Sequence, residues 1–273
     1  MKSKSTAGAA PYIVWAVIFT LVPMGLVVYF SLTDRSGAFT FASIAAIRDY
    51  LPTFGRSIGL GLLSTAICLL LGYPIAYIIS RKSGLTQQTM VMLIMLPQWM
   101  NFLLRTYAWM SLLENNGFIN QFLRLLGLPP ATMINTPGAV VLGMVYNFLP
   151  FMILPIFSVM EKLDVRITEA AQDLGADGWA VLRRVILPLS LPGIFTGITM
   201  VFVPAVSTFV ISQLLGGNKN MLIGDSIEML FVGNATNYNI GSALSLVLML
   251  LMLLSMTVMN KFDNSDEMGG LMV

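Results

Sequence analysis

Hydrophobic positions along this chain run continuously instead of alternating. Six runs, near 12–32, 58–79, 90–110, 137–160, 189–215 and 240–260, are uncharged or nearly so. A helix rises 1.5 Å per residue, so each run suffices to cross ~30 Å of hydrocarbon. Unbroken apolarity argues against a β-barrel, whose strands alternate. The pattern predicts an all-α polytopic membrane protein with six transmembrane helices. The membrane domain spans 12–260, with a short N-terminus at 1–11, a polar loop at 161–188 and a tail at 261–273. Two amphipathic surface helices are expected between the runs, at NGFINQFLRLLGL (116–128) and at 226–232. Pro23, Pro74, Pro97, Pro150, Pro155, Pro192 and Pro204 punctuate the runs. Each removes a backbone hydrogen bond, so bent helices around a changing cavity are expected.

Composition supports the bilayer as solvent. The chain has 273 residues, 56% hydrophobic and 10% charged, with mean hydropathy +0.81; a soluble domain carries about 25% charge. A net charge of +2 gives no reason to expect nucleic acid. With no histidine and one cysteine, Cys68, the chain offers no zinc set, disulfide framework or Cys/His pair. The first run exceeds a signal peptide and lacks a clear cleavage site, so it reads as a retained span. Placing the N-terminus in the cytoplasm puts Lys2, Lys4, Arg81, Lys82, Lys162, Arg166, Arg183, Arg184 and Lys261 inside. It leaves Arg35, Arg48, Arg56, Arg105, Arg124 and Lys219 outside or in a span. That bias favours both termini in the cytoplasm.

The loop at 161–188 is the densest in charge. Thr168 is the expected cap of a short helix whose Glu169 suits the positive end of the helix dipole. Ala170 and Ala171 favour helix and leave a smooth surface. Gly175 stands where a left-handed residue ends such a helix, and Asp177 then caps a second. A helix resting on lipid headgroups would show a basic polar face. Glu169, Asp173 and Asp177 make this one acidic, which better suits a groove on a protein partner.

The run EAAQDLGADGWAVLRRVILP (169–188) resembles the EAA loop of ABC importer permeases: Glu169, Ala170, Ala171, Gly175 six residues later, then Leu187 and Pro188. Val185 departs from the usual Ile. YNFLPFMILPIFSVMEKLD (146–164), PLSLPGI (188–194), QLLGG (213–217), LIGDSI (222–227) and LRTYAWMSLLENNGFINQFLRLLG (104–127) are similar to the first-permease branch of spermidine/putrescine importers. The resemblance implies a type I importer fold in the bacterial cytoplasmic membrane. It implies a second permease subunit, two P-loop ATPase subunits and an extracytoplasmic polyamine-binding protein. The EAA loop would then be a coupling helix seated in an ATPase groove.

The chain itself has no G-x-x-x-x-G-K-[ST] phosphate loop; GGNKN (216–220) has the wrong spacing and reads as an outer turn. No cofactor is expected here, ATP and Mg belonging to the partner ATPase, and the chain is expected to be a non-catalytic subunit. A polyamine calls for carboxylates and aromatic faces, yet the spans contain no acid. Candidates for a substrate path are Trp99, Tyr107, Glu114, Tyr146, Asn147, Ser207, Thr208 and Gln213. The aromatics equally suit a membrane-interface belt, and the polar residues interhelical hydrogen bonds. Arg105, the one charge within a span, can snorkel, pair with Glu114 or meet another subunit; a structural role paired with an acid is the favoured reading. A permease for another small solute, a metal or an oxyanion, stays open. A self-sufficient secondary transporter would need acids within its spans, and they are absent.

Overall fold

The computed structural model describes residues 10–233 and 236–269. Lys2, Lys4, the side chain of Lys261 and positions 270–273 lie outside the described residues. The described chain is nearly all helix; an isolated bridge joins Thr33 to Phe39. It divides into two compact units, one of 1–52 with 226–251 and one of 53–225 with 252–273.

In the first unit, helix α1 (Pro11–Ser31) has no buried residue in its most apolar window. One π-helical turn, Val17–Leu21, precedes Pro23. In the loop that follows, Asp34 Oδ1 accepts hydrogen bonds from Ser36 Oγ (2.6 Å), Ser36 N (2.8 Å) and Ala38 N (3.0 Å). These bonds, the Ser36 hydroxyl first, hold the Asp34 carboxyl below the ordinary carboxylate range. The Asn239 side chain donates to the Thr33 carbonyl (2.7 Å) and the Phe30 carbonyl (3.1 Å), closing the loop onto α1.

The second unit carries most of the core. Its helices include α2 (Leu51–Ser80), α3 (Gly84–Met95), α4 (Phe102–Leu113), α5 (Phe118–Leu125) and α6 (Pro137–Glu161). Then come α7 (Val165–Asp173), α8 (Gly178–Leu189) and α9 (Leu191–Ser207). Helices α10 (Ile223–Val232) and α11 (Tyr238–Gly269) complete the chain. α6 is central: Met144, Met152, Ile153 and Ile156 are fully buried.

Glycines let α9 lie against α6. A Cβ on Gly193 would sit 2.8 Å from the Pro155 carbonyl oxygen, and one on Gly197 would sit 2.8 Å from Met152 Sδ. Small residues four apart bring backbones close, which is how helices gain packing where no hydrophobic drive exists between them. The contact falls where α6 is weakest, because Pro150 and Pro155 lie inside it and lack N–H donors. α9 therefore splints a proline-loosened helix.

Two of the six expected spans take another form. Among the described residues, four helices are long and apolar enough to cross a membrane: Pro11–Ser31, Ala42–Ser80, Pro137–Glu161 and Tyr238–Met259. The expected span at 90–110 is broken: α3 ends at Met95, a 3-10 turn runs Leu96–Trp99, and α4 restarts after Asn101. Pro97 lacks the N–H donor of the helical ladder, which accounts for the change to a 3-10 turn, and the chain becomes extended at Met100. Asn101 then accepts from Leu103 N (2.9 Å) and Leu104 N (3.4 Å) as a new N-cap. The expected span at 189–215 is shortened to α9, which stops at Ser207 and meets the elbow helix α8 at a 66° bend. The bend is at buried Ser190, flanked by Pro188 and Pro192, and its Oγ lies 3.2 Å from Tyr73 OH. Among the other prolines, Pro74, Pro150, Pro155 and Pro204 sit inside helices without interrupting them.

Candidate functional site

The loop after α6 folds as a helical elbow. Asp164, not Thr168, caps α7: its Oδ1 accepts from Arg166 N at 2.9 Å. Thr168 lies inside the helix, buried, with Oγ1 donating to the Val165 carbonyl. The cap thus lies four residues before the expected one. Gly175 ends it with φ +85°. Gly175 N donates to Gln172 O (2.8 Å) and Ala176 N to Ala171 O (3.1 Å), the paired bonds of a Schellman motif. Asp177 Oδ1 accepts from Ala180 N at 2.7 Å and opens α8.

Burial divides the elbow. Ala171, Ala176, Leu182, Val181 and Ile186 face the core. Glu169, Ala170, Asp173, Asp177, Leu187 and Pro188 are exposed. Beside them Val165 and Ile167 are exposed, with Leu174 at 90% and Trp179 at 68%. Apolar groups this bare, set among acids on a fixed turn, form a surface able to dock a protein groove.

A second polar group lies at the broken span. Arg105, on the first turn of α4, is 6% exposed. Its Nη2 donates to Gln98 Oε1 at 3.3 Å, and Gln98 Nε2 donates to the Asn147 backbone carbonyl at 2.9 Å. Its guanidinium carbon is 6.0 Å from the Phe102 ring centroid. The expected acid partner is absent: Arg105 makes no ion pair with Glu114 among the described residues, and its Nε and Nη1 have no protein acceptor. Buried Asn147 donates Nδ2 to the Gly143 carbonyl at 2.9 Å. These bonds tie the break in the third run to α6 beside Pro150.

The other path candidates are only partly gathered. Tyr146 packs edge-on against Trp109, ring centroids 5.4 Å apart. Trp99, at 71% exposure, and Tyr107, at 47%, face outward from this chain. Ser207 bonds back to the Val203 carbonyl, and Thr208 ends α9 in extended conformation. Gln213 is exposed on the following turn. Glu114 is exposed at the far end of α4 and helps line a pocket with Asn115, Asn116 and Asn135. Sequence reasoning missed Gln98 and Asn101. The signal for Asn101 was present, an Asn after Pro97 and before an apolar run; Gln98 had none, because its partner is 49 residues away.

The profile of the family described as "Binding-protein-dependent transport system inner membrane component" matches residues 69–265. The chain is 36% identical over 254 residues to the spermidine/putrescine transport system permease protein PotB of Escherichia coli K12, covering 89% of this chain and 92% of that protein. It is 39% identical over 250 residues to the PotB of Haemophilus influenzae, covering 88% and 87%. Among solved structures it resembles a chain of a bacterial ABC transporter that imports the acidic polysaccharide alginate. The TM-score is 0.76 at 18% identity, covering 95% of this chain and 94% of that one. A chain of the MetNI methionine ABC transporter matches with TM-score 0.60 at 16% identity, covering 79% and 94%.

Proposed function

This chain belongs to the inner membrane components of binding-protein-dependent transport systems, the non-catalytic permeases of ABC importers, and from that premise we propose that it carries polyamines, spermidine or putrescine, across the cytoplasmic membrane. Identity of 36–39% with PotB over most of the chain supports the substrate class. The observation that carries the coupling role is the α7–Gly175–α8 elbow, with its Schellman turn, Asp177 cap and bare Leu174 and Trp179.

In this reading the elbow seats in a groove of a partner ATPase, which holds the ATP and Mg. Glu169, Asp173 and Asp177 set the charge of the docking face, while Ala170, Leu187 and Pro188 give it contour. Ala171 ties the face to the core. ATP-driven closure of two ATPase chains moves the elbow, and the packed pair α6–α9 follows. A second permease completes the path and an external binding protein delivers the polyamine. Both termini then face the cytoplasm, as the lysine and arginine bias favours.

Uptake of radiolabelled spermidine by the reconstituted complex tests the proposal: unlabelled spermidine and putrescine compete and sulfate does not. Competition by sulfate alone defeats it. That outcome belongs to a second reading, a permease for an oxyanion, which one observation favours: buried Arg105 has two donors without protein acceptors.

A further inference from the structure

Beyond the end of α6 opposite the elbow lies a pocket of mixed chemistry. Its volume is about 360 Å³. Glu114, Asn115, Asn116 and Asn135 make its polar lining, and Met110, Ile134 and Leu214 its apolar wall. It lies just before Pro137, where α6 begins, whereas the elbow follows Glu161, where α6 ends. A helix of 25 residues separates the two by ~37 Å.

The pocket rim is fixed by bonds that leave the carboxylate free of ion pairs. Asn120, fully buried, donates Nδ2 to the Glu114 backbone carbonyl (3.1 Å) and the Ala131 carbonyl (2.9 Å), and accepts from Ala131 N (2.8 Å). On the other side Asn135 N donates to Leu215 O at 2.8 Å, and Asn220 Nδ2 donates to Asn135 O at 2.9 Å. Asn135 is held at φ +60°, the one non-glycine with positive φ among the described residues. The nearest cation on α5, Arg124, reaches Asn116 Oδ1 at 3.4 Å and makes no ion pair with Glu114.

This chemistry selects a ligand class. A bare metal ion prefers several carboxylates, and no set of three or more acidic, Cys or His ligands occurs among the described residues. A primary ammonium needs one anion and a few oxygens to accept its three N–H groups. The methylenes that follow it need apolar wall, which Met110, Ile134 and Leu214 supply. We propose that the Glu114 pocket is an alkylammonium site, receiving one end of a polyamine before it passes between the helices. The inference rests on the polyamine reading and adds to it the point of first contact. Exposure of Glu114 keeps the site weak, as a receiving site must be if it is to pass its ligand on.

Equilibrium dialysis of radiolabelled spermidine against the purified permease–ATPase complex, without binding protein and at low ionic strength, tests the pocket. Glu114→Gln is isosteric and should weaken saturable binding about tenfold, the scale of one charge-assisted hydrogen bond. Asn135→Gly keeps the positive φ, which glycine adopts freely, and should weaken binding less. Butylamine, with one ammonium and a short apolar chain, should compete. Both variants should co-purify with the ATPase at wild-type yield. Wild-type binding by Glu114→Gln, or no saturable binding by the wild type, overturns the site. Uptake with the binding protein present judges the parent reading separately. A wild type that imports spermidine, beside a Glu114→Gln variant that binds unchanged, sinks the pocket alone.

Discussion

Gly175 decides the shape of the elbow. At φ +85° a side chain costs about 1–2 kcal/mol, and open space around the site means that cost is conformational, not a clash. Gly175→Val should therefore leave the membrane core folded while loosening the turn, seen as lost co-purification with the ATPase and reduced uptake. Wild-type values for both would contradict the docking role. Glu169→Lys reverses one charge on the same face and should reduce both readouts without disturbing a buried group. Gly175 and Asp177 were readable from the sequence because left-handed turns and N-caps are local events. The other cap was misread because Asp164 and Thr168 are both good capping types four residues apart. Burial of Thr168 settles the choice, and burial is a tertiary fact.

Among elements, the broken third span is the most informative. Gln98 receives Arg105 and donates to the Asn147 carbonyl, so one side chain joins the break to α6. Gln98→Leu removes Arg105's one acceptor among protein groups, and a buried group left unsatisfied costs about 1–3 kcal/mol. The variant should show a lower unfolding midpoint in detergent. Adding Arg105→Met should recover part of the loss, because both partners are then apolar; a further drop would refute the pairing. Asn101→Ala should cost about 1 kcal/mol by the same assay, as loss of an N-cap does. Apolarity at 90–110 revealed a membrane segment but not its break. Hydropathy averages over Pro97, and the replacement bonds come from α6, far along the chain. The fifth run misled similarly: its helix α9 stops at Ser207, and the 66° bend before it turns on a Ser190 bonded to Tyr73.

Across the whole molecule, the hydrophobic pattern gave the fold class because long apolar segments have few solutions in lipid. The runs at 12–32, 137–160 and 240–260 became α1, α6 and much of α11, with shifts of one or two residues at most ends. How helices pair was not legible, since in lipid the pairing depends on small residues such as Gly193 and Gly197 and not on apolar periodicity. The candidate path was least legible: Tyr146 meets Trp109, but Trp99 and Tyr107 face outward, toward surroundings that one chain's sequence does not contain. The topology makes a direct prediction. A cysteine at Leu174 should label with a membrane-impermeant maleimide only from the cytoplasmic side, and one at Asn116 only from outside. Native Cys68 is fully buried and should not interfere. Labelling of both positions from the same side would refute the proposed orientation.

The glycine contact between α9 and α6 has a mechanical consequence. Two helices this close at Pro155 and Met152 resist sliding past each other, so in the proposed coupling they turn as one beam. A beam ~37 Å long, pivoted at one end by about 5°, carries its other end about 3 Å. That is the width of a water molecule. In the proposed coupling, a small nudge at the elbow is thus geared up, by length alone, into a shift of about 3 Å at the opposite end of α6.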